Sequence, residues 1–330
     1  MIHYIKLIRP INILVLALTL LLFRYCFIDN QSYRMYDFLP YLHAPSFYIL
    51  LFTTLCIAAS GYVINDIFDV DTDQINKPEQ LIVGKHIDEN LAFKFYMILT
   101  GLGVIGSFTL VFTTGQMKIS MIPMMVSVLL YLYASSLKKV LLVGNIVISI
   151  CAAMPILFLA LYDLRINDFD TAVIILFTQG IGLAAIVYGT FAFLTTMSRE
   201  IIKDIQDMDG DDAIGARTFP IVMGINVSKA LIVFFQLITL GFLLMIAYYF
   251  LATKASIAFY GVCLLLILPL LVQMGLVLWA KEAQQFKWAS LAGKIHMLFG
   301  ILTMLFFASG TAPFVFNQMF NFFSQILRVV

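Results

Sequence analysis

Charge is what this 330-residue chain has least of: only 12% of it is Asp, Glu, Lys or Arg, about half the share of an ordinary soluble domain, while 62% is hydrophobic. Such a composition cannot build a mainly aqueous surface, so an integral membrane protein embedded in the lipid bilayer is indicated. A formal net charge of +1 leaves no electrostatic footprint for nucleic acid. Histidine is scarce, and Cys26, Cys56, Cys151 and Cys263 lie in apolar runs without paired spacing, which argues against a zinc, iron or redox centre. No tandem repeat of solenoid length is present. The basic start at His3, Lys6 and Arg9 superficially resembles a signal peptide, but a small-residue cleavage pattern is missing. Arg24 and Tyr25 close that apolar segment, so it reads as a retained first membrane helix.

What is abundant is long apolar sequence. Nine stretches reach the roughly 20 residues that a spanning helix needs, at 8–28, 46–66, 91–113, 119–137, 144–162, 171–197, 227–251, 256–279 and 291–310. They predict an all-α integral membrane fold, nine transmembrane helices bundled around a central cavity, with residues 1–330 forming one membrane-embedded domain. The remaining loops are 29–45, 67–90 and 198–226. Ala312 to Val330 is apolar but broken by Pro313, Asn317, Asn321 and Arg328, and is expected along the interface. Fourteen Lys and Arg, Lys294 among them, fall on the face carrying the N-terminus and the breaks after helices two, four, six and eight; six fall on the other. That asymmetry puts the N-terminus and these loops on the cytoplasmic side of the inner cell membrane, and the C-terminus outside.

Ten of the nineteen acidic residues sit in two clusters, each closing an apolar helix. In the second, Glu200, Asp204, Asp207 and Asp211 follow i, i+4, i+7, i+11 and would stack on one helix face. Like charges so placed repel, and at a helix C-terminus the backbone dipole opposes them as well. A bound cation is therefore expected. In the first cluster Asp66, Asp69 and Asp73 share a face; Asp71, Asp209 and Asp212 lie off the common faces and read as solvated. Several carboxylates and almost no His suit hard Mg²⁺ ions, which bind through one or two carboxylates plus substrate phosphates. The clusters are thus expected to meet across a polar cavity and share Mg²⁺ with a diphosphate. Lys77, Lys85, Lys138, Lys139, Lys203 and Arg217 lie on the same membrane face, where a departing diphosphate needs neutralising.

These motifs resemble the UbiA superfamily of intramembrane prenyltransferases. Asn65-Asp66-Ile67-Phe68-Asp69 with Asp73 is similar to the family's Asn-Asp-x-x-Asp-x-x-x-Asp, and Asp207-Met-Asp-Gly-Asp211 to its Asp-x-x-x-Asp, continued by Gly215, Arg217, Thr218 and Pro220. Tyr133, Leu137-Lys138 and Gly144-Asn145 match between them. The resemblance implies Asn65, Asp66, Asp69 and Asp73 as first-site metal ligands, Asp207 and Asp211 as the second, and Asp204 in support. It implies Lys138 and Tyr133 as diphosphate contacts, with Asp69, Asp207 and Lys138 carrying catalysis. Where many members have Asn-Lys-Pro-x-Arg-Pro, this chain has Asn76-Lys77-Pro78-Glu79-Gln80-Leu81, so Lys85 or Arg217 would stand in for the missing Arg.

Arg199 to Asp207 looks most like the branch that alkylates a glycerol-phosphate lipid hydroxyl. The implied activity is Mg²⁺-dependent transfer of a long isoprenoid, geranylgeranyl first among candidates, from its diphosphate to a lipophilic acceptor. A 4-hydroxybenzoate-type aromatic acceptor is the alternative. A cation transporter, the non-enzyme alternative, would place ionisable groups at mid-depth, and helices one, three, five, seven, eight and nine are expected to carry none there.

Overall fold

The computed structural model describes residues 2–30, 42–164 and 180–308. Among them it is all helical, and nine helices are long and apolar enough to cross a bilayer: α1 Pro10–Ile28, α2 Ala44–Phe68, α3 Glu89–Thr114, α4 Met117–Ser135, α5 Val143–Asp163, α6 Gly180–Gln206, α7 Phe219–Ala252, α8 Ser256–Trp279 and α9 Ala283–Phe307. Local chemistry sets several boundaries. Proline opens α1, α2 and α7 in the first turn, where a missing N–H costs nothing. Asp88 caps α3, its carboxylate accepting from the Asn90 N–H at 2.9 Å. Phe112, Ile257 and Ile11 are 74 to 85% exposed, as lipid-facing side chains should be. The expected interfacial stretch 312–330 lies outside the described residues, as does the 171–179 start given to helix six.

α2 packs on α3 and α4, α5 on α6, α6 on α7 and α9, and α8 on α9. An apolar crevice between α6, α7, α8 and α9 is lined by Tyr188, Phe191, Leu243, Phe250, Gly300 and Phe307, among others. Phe191 is thirteen residues before Asp204, about 20 Å along α6 at 1.5 Å per residue, so this crevice is remote from the acidic helix ends.

Three expectations are corrected. The segment 198–226 is not one loop, because α6 runs on to Gln206, a short helix Met208–Ala213 follows, and α7 begins at Phe219. Likewise 67–90 holds a short helix, Val70–Asn76. Third, α9 begins eight residues early: Glu282 and Gln285 form a reciprocal capping box that starts helix in what read as polar loop. The helix centre thereby moves onto residues 294–296. His296 is 0% exposed, edge-on to Phe191 at 5.1 Å, and neither ring nitrogen has a partner among the described residues. α9 therefore carries an ionisable residue at mid-depth, and Lys294 belongs to a span rather than to the cytoplasmic-face count.

At the α2–α3 contact, a Cβ on Gly106 would fall 2.1 Å from Thr53 Oγ1. Gly106→Val should cost about 1–3 kcal/mol through overpacking, read as a lowered thermal midpoint in detergent. An unchanged midpoint would mean the two helices are not this close.

Candidate functional site

The two acidic clusters are built by the same backbone device. α2 breaks at Asp69 (φ −93°, ψ 1°) and restarts as Val70–Asn76; α6 breaks at Asp207 (φ −101°, ψ 6°) and restarts as Met208–Ala213. The one continuous face drawn through Glu200, Asp204, Asp207 and Asp211 is therefore interrupted at Asp207. The break turns the short helix aside and brings it against its counterpart.

Asn76 clasps the two. Its Nδ2 donates to the Asp207 carbonyl at 3.0 Å, and its Oδ1 accepts from the Gly210 N–H at 2.9 Å. Gly210 is required for the approach: a Cβ there would lie 2.5 Å from Asn76 Nδ2 and 2.7 Å from the Thr72 carbonyl oxygen. Next to the clasp, Lys77 Nζ reaches Asp207 Oδ1 at 2.6 Å.

Five of the carboxylates, those of Asp66, Asp69, Glu200, Asp204 and Asp207, have a cation or amide against them. Lys138, from the turn between α4 and α5, pairs with Asp69, whose other oxygen accepts from Asn65 Nδ2 at 2.5 Å. Arg9 meets Asp66 at 2.6 Å and lies over the Tyr62 ring at 5.1 Å. Asn145 donates to Asp204 at 2.7 Å, and Arg199 meets Glu200 at 2.5 Å. Burial and the neighbouring Asp69 and Asp66 raise the Asp73 carboxyl above its ordinary range. Burial and Asp207 push Asp211 up to about 6, with Asp69 contributing from across the gap. Burial lowers the Lys138 ammonium against the opposing pull of Asp69.

The structure thus brings Asn65, Asp66, Asp69, Asp73, Asp204, Asp207, Asp211, Lys77 and Lys138 into one neighbourhood. Tyr133, half-buried on α4, faces the charges of Asp69, Glu200, Lys203 and Asp204. Asp71, Asp209 and Asp212 are exposed, as their off-face positions predict. Lys85 is not at the site: it is exposed and donates to the Pro78 carbonyl at 3.2 Å. Arg217 pairs with neither cluster, and its backbone N–H donates to the Lys139 carbonyl at 2.9 Å. Sequence reasoning missed Asn76 and Arg9 as site members, and placed Lys203 only on the site's membrane face. Lys203 had a signal, one turn before Asp207, and it acts on Asp66, Asp73 and Asp211 at once. Arg9, reaching back across 57 residues, had none.

The donor set is all oxygen, and burial together with neighbouring carboxylates leaves Asp73 and Asp211 reluctant to ionise, so a hard divalent cation fits here. Among the described residues no three acidic side chains converge closely enough to hold one unaided. A ligand bringing its own oxygens would complete the coordination. Asn76→Ala should lower activity about tenfold or more in protein that still folds, since it strips a donor from the Asp207 carbonyl and an acceptor from the Gly210 N–H. Wild-type rates in that variant would remove the clasp from the site's requirements.

Residues 38–298 match the model of the UbiA prenyltransferase family. The chain is 34% identical over 237 residues to the digeranylgeranylglyceryl phosphate synthase of Methanothermobacter thermautotrophicus, covering 71% of this chain and 72% of that one. A solved structure of digeranylgeranylglyceryl phosphate synthase in membranes superposes with a TM-score of 0.61 at 24% identity, over 93% of this chain and 97% of the other. A UbiA homolog from Archaeoglobus fulgidus bound to GPP and Mg²⁺ gives 0.54 at 15% identity, over 92% and 99%. With paired acidic helix ends, nine spans and a family match over most of its length, this chain belongs to the UbiA prenyltransferase family of multi-pass membrane proteins.

Proposed function

We propose that the whole chain is one prenyltransferase domain that moves a geranylgeranyl group from its diphosphate to the hydroxyl of a prenylglyceryl phosphate. The observation that carries this reading is the joined pair of helix ends, each presenting carboxylates already held by a lysine: Lys138 on Asp69 and Lys77 on Asp207. The relatives' name, digeranylgeranylglyceryl phosphate synthase, supports the choice of acceptor. A UbiA homolog bound to GPP and Mg²⁺ supports the choice of donor and ion.

Asn65, Asp66, Asp69 and Asp73 would hold Mg²⁺ at the first helix end and Asp207 and Asp211 at the second, with Asp204, tied to Asn145, setting the α6 end. Mg²⁺ held there would neutralise the diphosphate. Lys138 and Lys77, beside those carboxylates, would bond diphosphate oxygens, joined by Tyr133. The bond from the isoprenoid's first carbon to the bridging oxygen then breaks, its electron pair leaving with the diphosphate. The acceptor hydroxyl oxygen bonds to that carbon, and its proton passes to the released diphosphate. A central apolar cavity continuous with these helix ends would exclude water from the allylic cation. Charge asymmetry orients the acidic ends and N-terminus toward the cytoplasm, across the inner membrane, with the C-terminus outside.

Asp69→Ala and Asp207→Ala should each lower turnover by at least about a hundredfold in folded protein, read by product mass with geranylgeranyl diphosphate and a panel of acceptors. Chelating Mg²⁺ should do the same. Retained turnover in both variants would exclude these residues as ligands. An aromatic acid prenylated in place of the glyceryl phosphate would overturn the acceptor assignment.

The Asp211 carboxyl also gives a pH signature. Its folded value of about 6 lies above the ordinary 3.8, so its contribution to stability is present below about pH 4 and is lost as pH rises toward 6. A cation on the ionised carboxylate reverses that loss. The rise in thermal midpoint on adding Mg²⁺ should therefore grow as pH climbs through about 6; a shift independent of pH would remove Asp211 from the ion's ligands.

A further inference from the structure

One residue beyond Lys138, on the same edge of the bundle, the turn between α4 and α5 forms a recess with the segment that leads into α7. Lys139, Val140, Leu141, Gly215, Arg217 and Val222 line it, around about 380 Å³ of space. Its two cations are unspent: among the described residues neither side chain forms an ion pair or a hydrogen bond. They are held together by backbone, Arg217 N–H to the Lys139 carbonyl at 2.9 Å. The Arg217 wall is anchored to the second acidic cluster, because Ala216 N–H donates to the Asp211 carbonyl and Gly215 N–H to the Asp212 carbonyl, both at 2.9 Å. The opposite side is greasy, with Val140 47% and Val222 50% exposed. Paired cations beside an apolar wall at a membrane edge fit an amphiphile with an anionic head.

Resting on the prenylglyceryl phosphate reading above, we propose that Lys139 and Arg217 bind the phosphomonoester of the acceptor lipid, in a subsite separate from the one that takes the donor's diphosphate. In a glyceryl phosphate the reacting hydroxyl and the phosphate share one three-carbon unit. The phosphate must therefore sit within a few bond lengths of the ionising carbon and outside the leaving-group site. The recess borders the acidic site without being part of it. One wall follows Lys138 by a single residue, and the other is hydrogen-bonded to the Asp211 backbone, yet neither cation touches the carboxylates. Arg217 thereby has a role other than replacing the missing Arg of the first loop. An aromatic acid would leave one of these charges unused, so the recess also discriminates between acceptor classes.

The test uses Lys139→Gln, Arg217→Gln, the double variant and Arg217→Lys, purified and placed in zwitterionic vesicles. Initial rates are measured with geranylgeranyl diphosphate and either a prenylglyceryl phosphate or the same prenylglycerol lacking phosphate. KM for the phosphorylated acceptor should rise about tenfold for each charge removed and recover in part in Arg217→Lys. KM for geranylgeranyl diphosphate should stay the same, and the phosphate-free acceptor should be used by all proteins alike. An unchanged acceptor KM in the double variant overturns the proposal, as does a rise in the diphosphate KM instead. Variants that keep the acceptor KM but lose a response to added anionic phospholipid would identify a seat for bulk lipid headgroups, and overturn it too. Wild-type protein that never prenylates a glyceryl phosphate sinks the functional reading itself; wild-type turnover with indifferent variants sinks only this inference.

Discussion

Carboxylates of two helix ends stand close together in a chain of which only 12% is charged, and their repulsion has to be offset. Everything near them serves that need. Arg9, Lys77 and Lys138 each come from outside the helix that carries the acid they neutralise, and Asn65 and Asn145 add neutral donors. Such pairs, part-buried and partly desolvated, hold their partners firmly but gain little net stability over an apolar alternative. Their value is positional: they keep ionisable oxygens crowded until a stronger cation arrives. Burial first, and the neighbouring carboxylates second, raise Asp73 and Asp211 above their ordinary range.

Much of this was legible in the residues. Nine apolar runs and the nine spans among the described residues agree because a bilayer leaves the backbone no alternative to long helix, so hydropathy alone nearly fixes the count. The grouping of Asp66, Asp69, Asp207 and Asp211 was equally open to view, since acids in an oil-like sequence have no casual explanation. Harder to see were the ends. Polar residues after α2, after α6 and before α9 read as loop, yet Val70–Asn76, Met208–Ala213 and Ala283 onward are helical. A polar helical turn at a membrane surface has the composition of a loop, and only its caps and partners distinguish it.

Partners far apart in the chain were the other blind spot. No spacing rule joins Asn76 to Gly210 or Arg9 to Asp66, because those contacts depend on how helices pack. The misplacement of α9 was the costliest error, since it hid His296 in the middle of a span. A buried imidazole without hydrogen bonds among the described residues is unusual in any interior. Phe191 meets that ring edge-on at 5.1 Å.

The clasp at Asn76 also bears on how the molecule is made. Arg9 finds Asp66 across 57 residues and Lys138 finds Asp69 across 69, whereas Asn76 finds Asp207 only across 131. As the polypeptide leaves the ribosome, Arg9, Asp66, Asp69 and Lys138 all emerge before α6 is made. The late acids thus follow every partner of the first half-site in chain order. A long-range closure of this kind is slow, so the final bond between the halves is made on a scaffold rather than between two loose ends.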